Sequence, residues 1–349
     1  MKKTLIATAI AAVAFSGTTM AQSAANSADS RADELASRMD SMPQVYGNIQ
    51  LAITHDNFDG GPSEVEHTDN GSTIGVKHDH VLAPGIVGFF KAELEFDADN
   101  KADNSGLDSF DEAYIGVRGD SFGQVWVGSD DSTYETAIDE ISNFFEVASL
   151  NIRGPYDTGE GDLVQYMTPS FGGLTLGAAV QFNGDGDSKK NDKSYPYQLS
   201  AIYEIDALEL AFAVDSNDGG ENYSGTGASV NNENTYGLRA SGNFANLRVT
   251  GQFQTRKDVS DIYGLMGIYT LGKNQFALAY EYKEADNSNS DKNDTITLQA
   301  LHSLSDNMYV YVEGYIGGGD DVYEYEDSAG NAAFTDERTV AAVGATYYF

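Results

Sequence analysis

From residue 44 onward the chain alternates apolar and polar positions. In 44–54, Val45, Gly47, Ile49, Leu51 and Ile53 share one side, and Asn48, Gln50, Ala52 and Thr54 share the other. The same alternation sets Phe90, Ala92, Leu94 and Phe96 against Lys91, Glu93 and Glu95. It sets Leu247, Val249, Gly251 and Phe253 against Arg248, Thr250, Gln252 and Gln254, and Phe276, Leu278, Tyr280 and Tyr282 against Ala277, Ala279, Glu281 and Lys283. A period of two marks a strand with two unlike faces. Each segment runs about ten residues, the length a tilted strand needs to cross a bilayer.

The connectors alternate in length. Short turns fall at 170–173, 204–206, 244–246, 271–273 and 305–307, and long polar connectors at 57–71, 183–193, 216–234, 285–293 and 317–337. Tight turns at one end and roomy loops at the other are the habit of a transmembrane barrel. The pattern predicts an all-β fold, an antiparallel transmembrane β-barrel of about sixteen strands. A soluble two-layer sandwich is the alternative. It requires neither the loop alternation nor the last strand, 338–349, where Ala341, Val343, Ala345, Tyr347 and Phe349 share a face. An amphipathic final strand invites pairing at its edge; in a barrel it closes onto the first strand and no edge remains. Tyr347 and Phe349 are therefore the expected assembly residues.

The first residues depart from this pattern. Lys2 and Lys3 precede an apolar run from Leu5 to Phe15, followed by Thr19, Met20 and Ala21. That order predicts a cleavable signal peptide over 1–21. In 22–43, Ser30 and Asp33 form a candidate helix cap, with Leu35, Met39 and Met42 at helical spacing before Pro43. This is expected to be a short helical or disordered leader. The barrel is then 44–349.

Composition narrows the function. Mean hydropathy is −0.37, which a barrel reaches because its strands average apolar and polar faces. There is no cysteine, so neither disulfides nor zinc–thiolate chemistry enters. A formal net charge of −34 argues against nucleic acid as a partner, because binding it requires neutralising phosphates. His78 and His80 share a strand face but have no third ligand in view, and no serine–histidine pair stands out. The sequence therefore calls for no enzyme, no cofactor and no metal centre. The Asp/Asn-rich stretches around Asn183–Asp187 and Asp215–Glu221 miss the EF-hand spacing and read as solvated acidic loops. Divalent cations bridging such loops to lipopolysaccharide phosphates remain an open alternative.

Several stretches together carry a family resemblance: Val45-Tyr46-Gly47, Ala113-Tyr114-Ile115-Gly116-Val117 with Gly119-Asp120 and Phe122-Gly123, Gln165 to Gly173, and the terminal Phe349. From Pro43 on, the chain resembles the Gram-negative general porins. The resemblance implies a sixteen-stranded homotrimer in the outer membrane, placed there by the barrel-assembly machinery and surrounded by lipid and lipopolysaccharide. It also implies passive diffusion of small hydrophilic solutes and a third loop folded inward to narrow the pore. Here that loop is 129–161. Ser132 and Glu135 form a capping box, and Ile138, Ile141, Phe145 and Ala148 recur at helical spacing, with Glu135, Asp139, Ser142 and Glu146 opposite. The expected arrangement is a helix, greasy side to the wall and acid to water. The acids Asp130, Asp131, Glu135, Asp139, Glu140 and Glu146 then line the constriction, and Lys91, Arg118, Arg239, Arg248 and Lys283 are the basic wall candidates. Many relatives carry arginine after the glycine of the fifth strand; here Ser129 follows Gly128. A cation preference is the resulting expectation. A substrate-selective channel and a structural or adhesive barrel are the alternatives.

Overall fold

The computed structural model describes residues 42–100, 110–182, 195–218, 233–286 and 290–349. The expected signal peptide and nearly all of the leader lie outside them, as do Asn183–Asp187 and Glu221. The strands are β1 (Gln44–Phe58), β2 (Ser63–Asp69), β3 (Thr73–Ala83), β4 (Ile86–Glu95), β5 (Phe110–Gly119) and β6 (Gly123–Ser129). After a short helix, α1 (Thr133–Ile138), come β7 (Leu163–Met167), β8 (Leu174–Gln181), β9 (Tyr197–Ile205), β10 (Leu208–Asp215), β11 (Thr235–Phe244) and β12 (Leu247–Arg256). The series ends with β13 (Ser260–Leu271), β14 (Asn274–Ala285), β15 (Lys292–Ser303), β16 (Met308–Glu326) and β17 (Ala332–Tyr348).

From β3 on, each strand pairs antiparallel with the next, and β17 pairs with β1 to close the ring. β2 and β3 both pair with β1, so they are two halves of one wall strand. The register passes from Leu51 opposite Asp69 to Asn48 opposite Thr73, which inserts one residue and makes a bulge. Gly71 takes a positive φ of 85° there, and the Asp69 carboxylate accepts the Gly71 and Ser72 N–H groups at 3.0 and 2.8 Å. With β2 and β3 counted once, the barrel has sixteen strands.

Alternation decides which side faces out. On β14, Phe276, Leu278 and Tyr280 are exposed while Ala277, Ala279 and Glu281 are buried. On β12, Thr250, Gln252, Gln254 and Arg256 are buried between outward-facing neighbours. The exposed apolar band is the surface lipid would cover, and ring closure satisfies the ladder without an edge. Closure continues one residue beyond β17: the Phe349 N–H donates to Gly47 O at 3.0 Å, and Gly47 N–H donates to Phe349 O at 3.2 Å. The Phe349 ring lies where a Cβ on residue 47 would stand, so the alternation's small residue is required at that point.

The short turns fall where expected. Two of the long connectors do not stay loops. The chain is strand up to Phe58 and again from Ser63, and β16 and β17 extend to Glu326 and from Ala332. Polar residues there still pair as hairpins, because a ladder begun in the wall continues beyond it at little cost. Tyr325 stacks on Phe58 at 5.6 Å between ring centres.

Candidate functional site

After β6 the chain turns onto the inner face of the barrel. Ser132 Oγ accepts the Glu135 N–H at 3.2 Å and starts α1. Tyr134, Ala137 and Ile138 then bury against Ala211 and Ala213 of β10. Beyond the helix, Ile141, Phe145 and Leu150 bury against Met266, Ala277, Ala279, Tyr315 and Val340. These wall residues alternate with the exposed band, and Gln165 Oε1 of β7 accepts from the Thr133 hydroxyl at 2.7 Å, so the loop runs along the inside, from β7 round to β17.

Side chains of the wall secure its backbone. Gln198 Oε1 accepts Tyr134 N–H at 2.8 Å, and Glu313 accepts the N–H groups of Glu146 and Val147 at 2.8 and 3.0 Å. Tyr315 Oη accepts Ala148 N–H at 2.9 Å, and Thr295 Oγ1 donates to Leu150 O at 2.9 Å. Asp215, fully buried, accepts the N–H and hydroxyl of Thr158 at 3.1 and 2.7 Å.

The expected helix is shorter than its periodicity. Only 133–138 is helical, and the backbone turns repeatedly from Asp139 to Ala148, where φ is +50°. The apolar residues reach separate strands of a curved wall, which a straight helix would not follow. The expectation of an acidic side turned to water fails as well. Glu135 and Asp139 are buried: Asn143 Nδ2 donates to Glu135 at 2.9 Å, and Gln254 Nε2 donates to Asp139 at 2.6 Å. Burial pushes the Asp139 carboxyl up to about 6. Burial also raises Glu146, to about 7, against the 2.8 Å hydrogen bond it accepts from Tyr309 Oη. Asp130 accepts the Trp126 indole N–H at 2.7 Å and is raised to about 6, by burial first and then by Glu112.

Glu140 is bound most tightly. Arg248 donates to it through Nε and Nη2 at 2.6 and 2.7 Å, Thr250 and Ser241 donate at 2.8 and 3.0 Å, and Arg239 pairs with it. Burial would raise its carboxyl, but the hydrogen bonds and charge of Arg248 and Arg239 outweigh that and hold it at about 2. Arg239, buried, also donates to Ala137 O at 2.7 Å and pairs with Glu209. Arg239 and Arg248 are thus not the free wall cations the sequence suggested; they hold the loop.

The other candidates divide: Lys91 and Arg118 lie on the wall away from the loop's course, whereas Lys283 lies on β14, which the loop crosses. Lys91 pairs with Glu112 and, at 3.4 Å, with Glu93. Lys77 and Lys91 stand 4.7 and 5.8 Å from the Tyr46 ring centre. Arg118 pairs with Asp79 and lies over the Phe89 ring. Lys283 is on the inner face of β14, two residues beyond Glu281. The carboxylates of Glu93, Asp111 and Glu112 gather within 4.8 Å of one another, and so do those of Asp131, Glu135 and Glu160. Either trio has the spacing to hold a cation, but the Lys91 ammonium already occupies the first.

Sequence reading missed Gln198, Glu209, Asp215, Asn217, Gln254 and Glu313. Asp215 and Asn217 looked like part of a solvated acidic loop, yet both are buried, and Asn217 Oδ1 accepts Asp157 N–H at 2.9 Å. Asp215 falls in step with Ala211 and Ala213, and that phase was the available signal.

Residues 7–321 match the family model for the Gram-negative porins. The chain belongs to the Gram-negative porin family. Over the full length of both chains it is 29% identical to a protein of a Halomonas species called a monosaccharide porin, and to the major outer membrane protein of Halomonas elongata. In fold it is similar to the anion-selective porin from Comamonas acidovorans, with a TM-score of 0.69 at 18% identity, covering 88% of this chain and 99% of the other. It is similar also to Salmonella typhi OmpF, solved with daunomycin, with a TM-score of 0.70 at 15% identity, covering 89% and 99%. The porin's place is accordingly the outer membrane of a Gram-negative bacterium, and its class is that of channels.

Proposed function

We propose that this porin passes small hydrophilic solutes and ions by passive diffusion between the loop and the wall of β3, β4 and β5, with a preference for cations. The observation that carries this reading is the division of the inner face. The loop is fastened to β7–β17, while ionised side chains line the face of β3–β5. There Lys77, Lys91 and Arg118 meet Asp79, Glu93, Glu95 and Glu112, an excess of acid. Carboxylates in a narrow pore lower the energy of cations and raise that of anions within about 10 Å at 0.1 M salt. The wall rather than the loop is the main source, because Glu140 is matched by two arginines. The likeness to an anion-selective porin is one of fold only. Purified protein in a planar bilayer should conduct, and a KCl gradient should give a zero-current potential of the cation-selective sign. Absence of conductance would sink the channel reading; the chloride-selective sign would sink the preference alone.

One observation favours a sugar-passing channel as a second reading: the relative called a monosaccharide porin. Swelling rates of liposomes in glucose and in a larger oligosaccharide would separate it from an unselective pore.

The porin is proposed to work as a homotrimer. Its outward faces differ by sector. β9–β14 present Tyr203, Phe212, Tyr236, Tyr263, Tyr269 and Phe276, residues suited to a lipid interface. β16, β17, β1, β3 and β5 present mostly aliphatic residues, Val312, Val343, Ile49, Ile53, Ile74 and Ile115 among them, with aromatics at Phe110, Phe334 and Tyr347. An apolar sector with few aromatics suits contact with another copy.

A further inference from the structure

The wall beneath the loop is notched. On β11 a Cβ at Gly237 would stand 2.6 Å from Tyr134 Oη and 2.7 Å from Ile138 Cγ1. On β13 a Cβ at Gly264 would stand 2.8 Å from Ile141 Cδ1, and on β16 one at Gly317 would meet the wall's own Tyr323 hydroxyl first and Leu150 Cδ1 at 3.0 Å. On β8 the same point at Gly177 meets the Ser200 hydroxyl of β9 first and the Thr133 methyl at 3.0 Å. All four glycines face inward, and the loop residues meet them in chain order around the barrel. Between them lie Ala211, Ala213 and Ala279, also inward and buried.

We propose that these inner-face glycines are positioning residues for permeation. Their missing side chains seat the loop against the wall, and the depth of that seat sets the width left for solutes. The inference rests on the channel reading above and adds where the width is decided: in the wall, not in the loop's own sequence.

The physical argument turns on which partner yields. Gly264 sits in a continuous ladder, opposite Gln252 on β12 and Glu281 on β14, with unbroken register on both sides. The loop is a single strand of backbone held by side chains. A methyl added at residue 264 therefore presses on Ile141, which is fully buried, and through it on the loop. Restoring an ordinary carbon–carbon contact from 2.8 Å requires a shift of roughly 0.7–1.2 Å, directed away from the wall and toward the axis. The Gln252 Cγ and Cδ, 2.8 and 3.2 Å from that point, must be displaced as well, by rotation of that side chain about its Cα–Cβ bond. Val in place of Ile141 deletes Cδ1, the loop atom in contact.

The experiment is single-channel recording in KCl on four full-length variants refolded beside the parent. Gly264→Ala should lower the unit conductance while leaving the protein folded, as judged by heat-modifiable mobility. Gly264→Ala combined with Ile141→Val should restore it. Gly237→Ala should lower it independently and stands in if the first variant does not fold. Gly267→Ala places a methyl on the lipid-facing side of β13, with its nearest neighbour, Leu247 Cδ1, at an ordinary 4.0 Å, and should change nothing. Parental conductance in Gly264→Ala or Gly237→Ala, or a failure of Ile141→Val to restore it, overturns the inference. A parent that does not conduct overturns the channel reading instead, so the two failures are told apart.

Discussion

At the scale of single residues, the acids of the loop do different work from one another. Glu140 is a fastening: its carboxylate gathers Arg239, Arg248, Thr250 and Ser241. Glu140→Gln would leave Arg239 buried with one partner lost, a change that costs about 3 kcal/mol where such pairs are broken. Single-channel records of that variant should show added noise and partial closures; a quiet, parental trace would contradict the role. The pH dependence has two parts of opposite sign. Glu140, held at about 2, contributes its support fully above its ordinary 4.5 and loses it as pH falls toward 2. Asp139 and Glu146, raised to about 6 and 7, favour the seated loop in their protonated forms. That contribution is present below their ordinary values of 3.8 and 4.5 and is lost as pH rises through 6 and 7. Current noise measured from pH 8 to pH 3 should fall first and then rise below about 4.5. A monotonic trend would contradict the opposed signs.

At the scale of elements, the wall strands were largely legible and the loop was not. The four strands read from alternation lie within one or two residues of β1, β4, β12 and β14, apart from a longer outer end on β1. Each of those strands has one partner on either side and a fixed inner face, so local pattern and tertiary setting agree. Loop 129–161 has helical periodicity over 138–148 but only six residues, 133–138, in helix, because its apolar residues are claimed one at a time by different strands. The last strand is the element whose loss should matter most. Deleting Phe349 removes both hydrogen bonds to Gly47 and the ring packed on it. The yield of heat-modifiable folded barrel should drop well below that of Tyr347→Ala, whose side chain points outward. Equal yields would show that closure does not depend on the final residue.

At the scale of the whole molecule, ring closure makes the fold and sector composition makes the assembly. The proposed trimer should migrate as a high-mass species in mild detergent and fall to monomer on heating. A monomer-mass species in unheated samples would count against it. Charge also acts at this scale: the formal total is −34, yet local pairing around Glu140 leaves the pore field to be decided by the wall of β3–β5.

By itself the sequence determined the strand period, the sixteen-fold repetition, the inner and outer faces and the closure at Phe349, because each depends on residues two positions apart or on one neighbouring strand. Only the tertiary structure decided which charges stay ionised and unmatched. Arg239 lies 99 residues from Glu140 in the chain, and Asp215 57 residues from Thr158. No local period links such partners. They meet because a loop leaving one strand is laid across eleven others, and where it lies depends on which of those strands are notched.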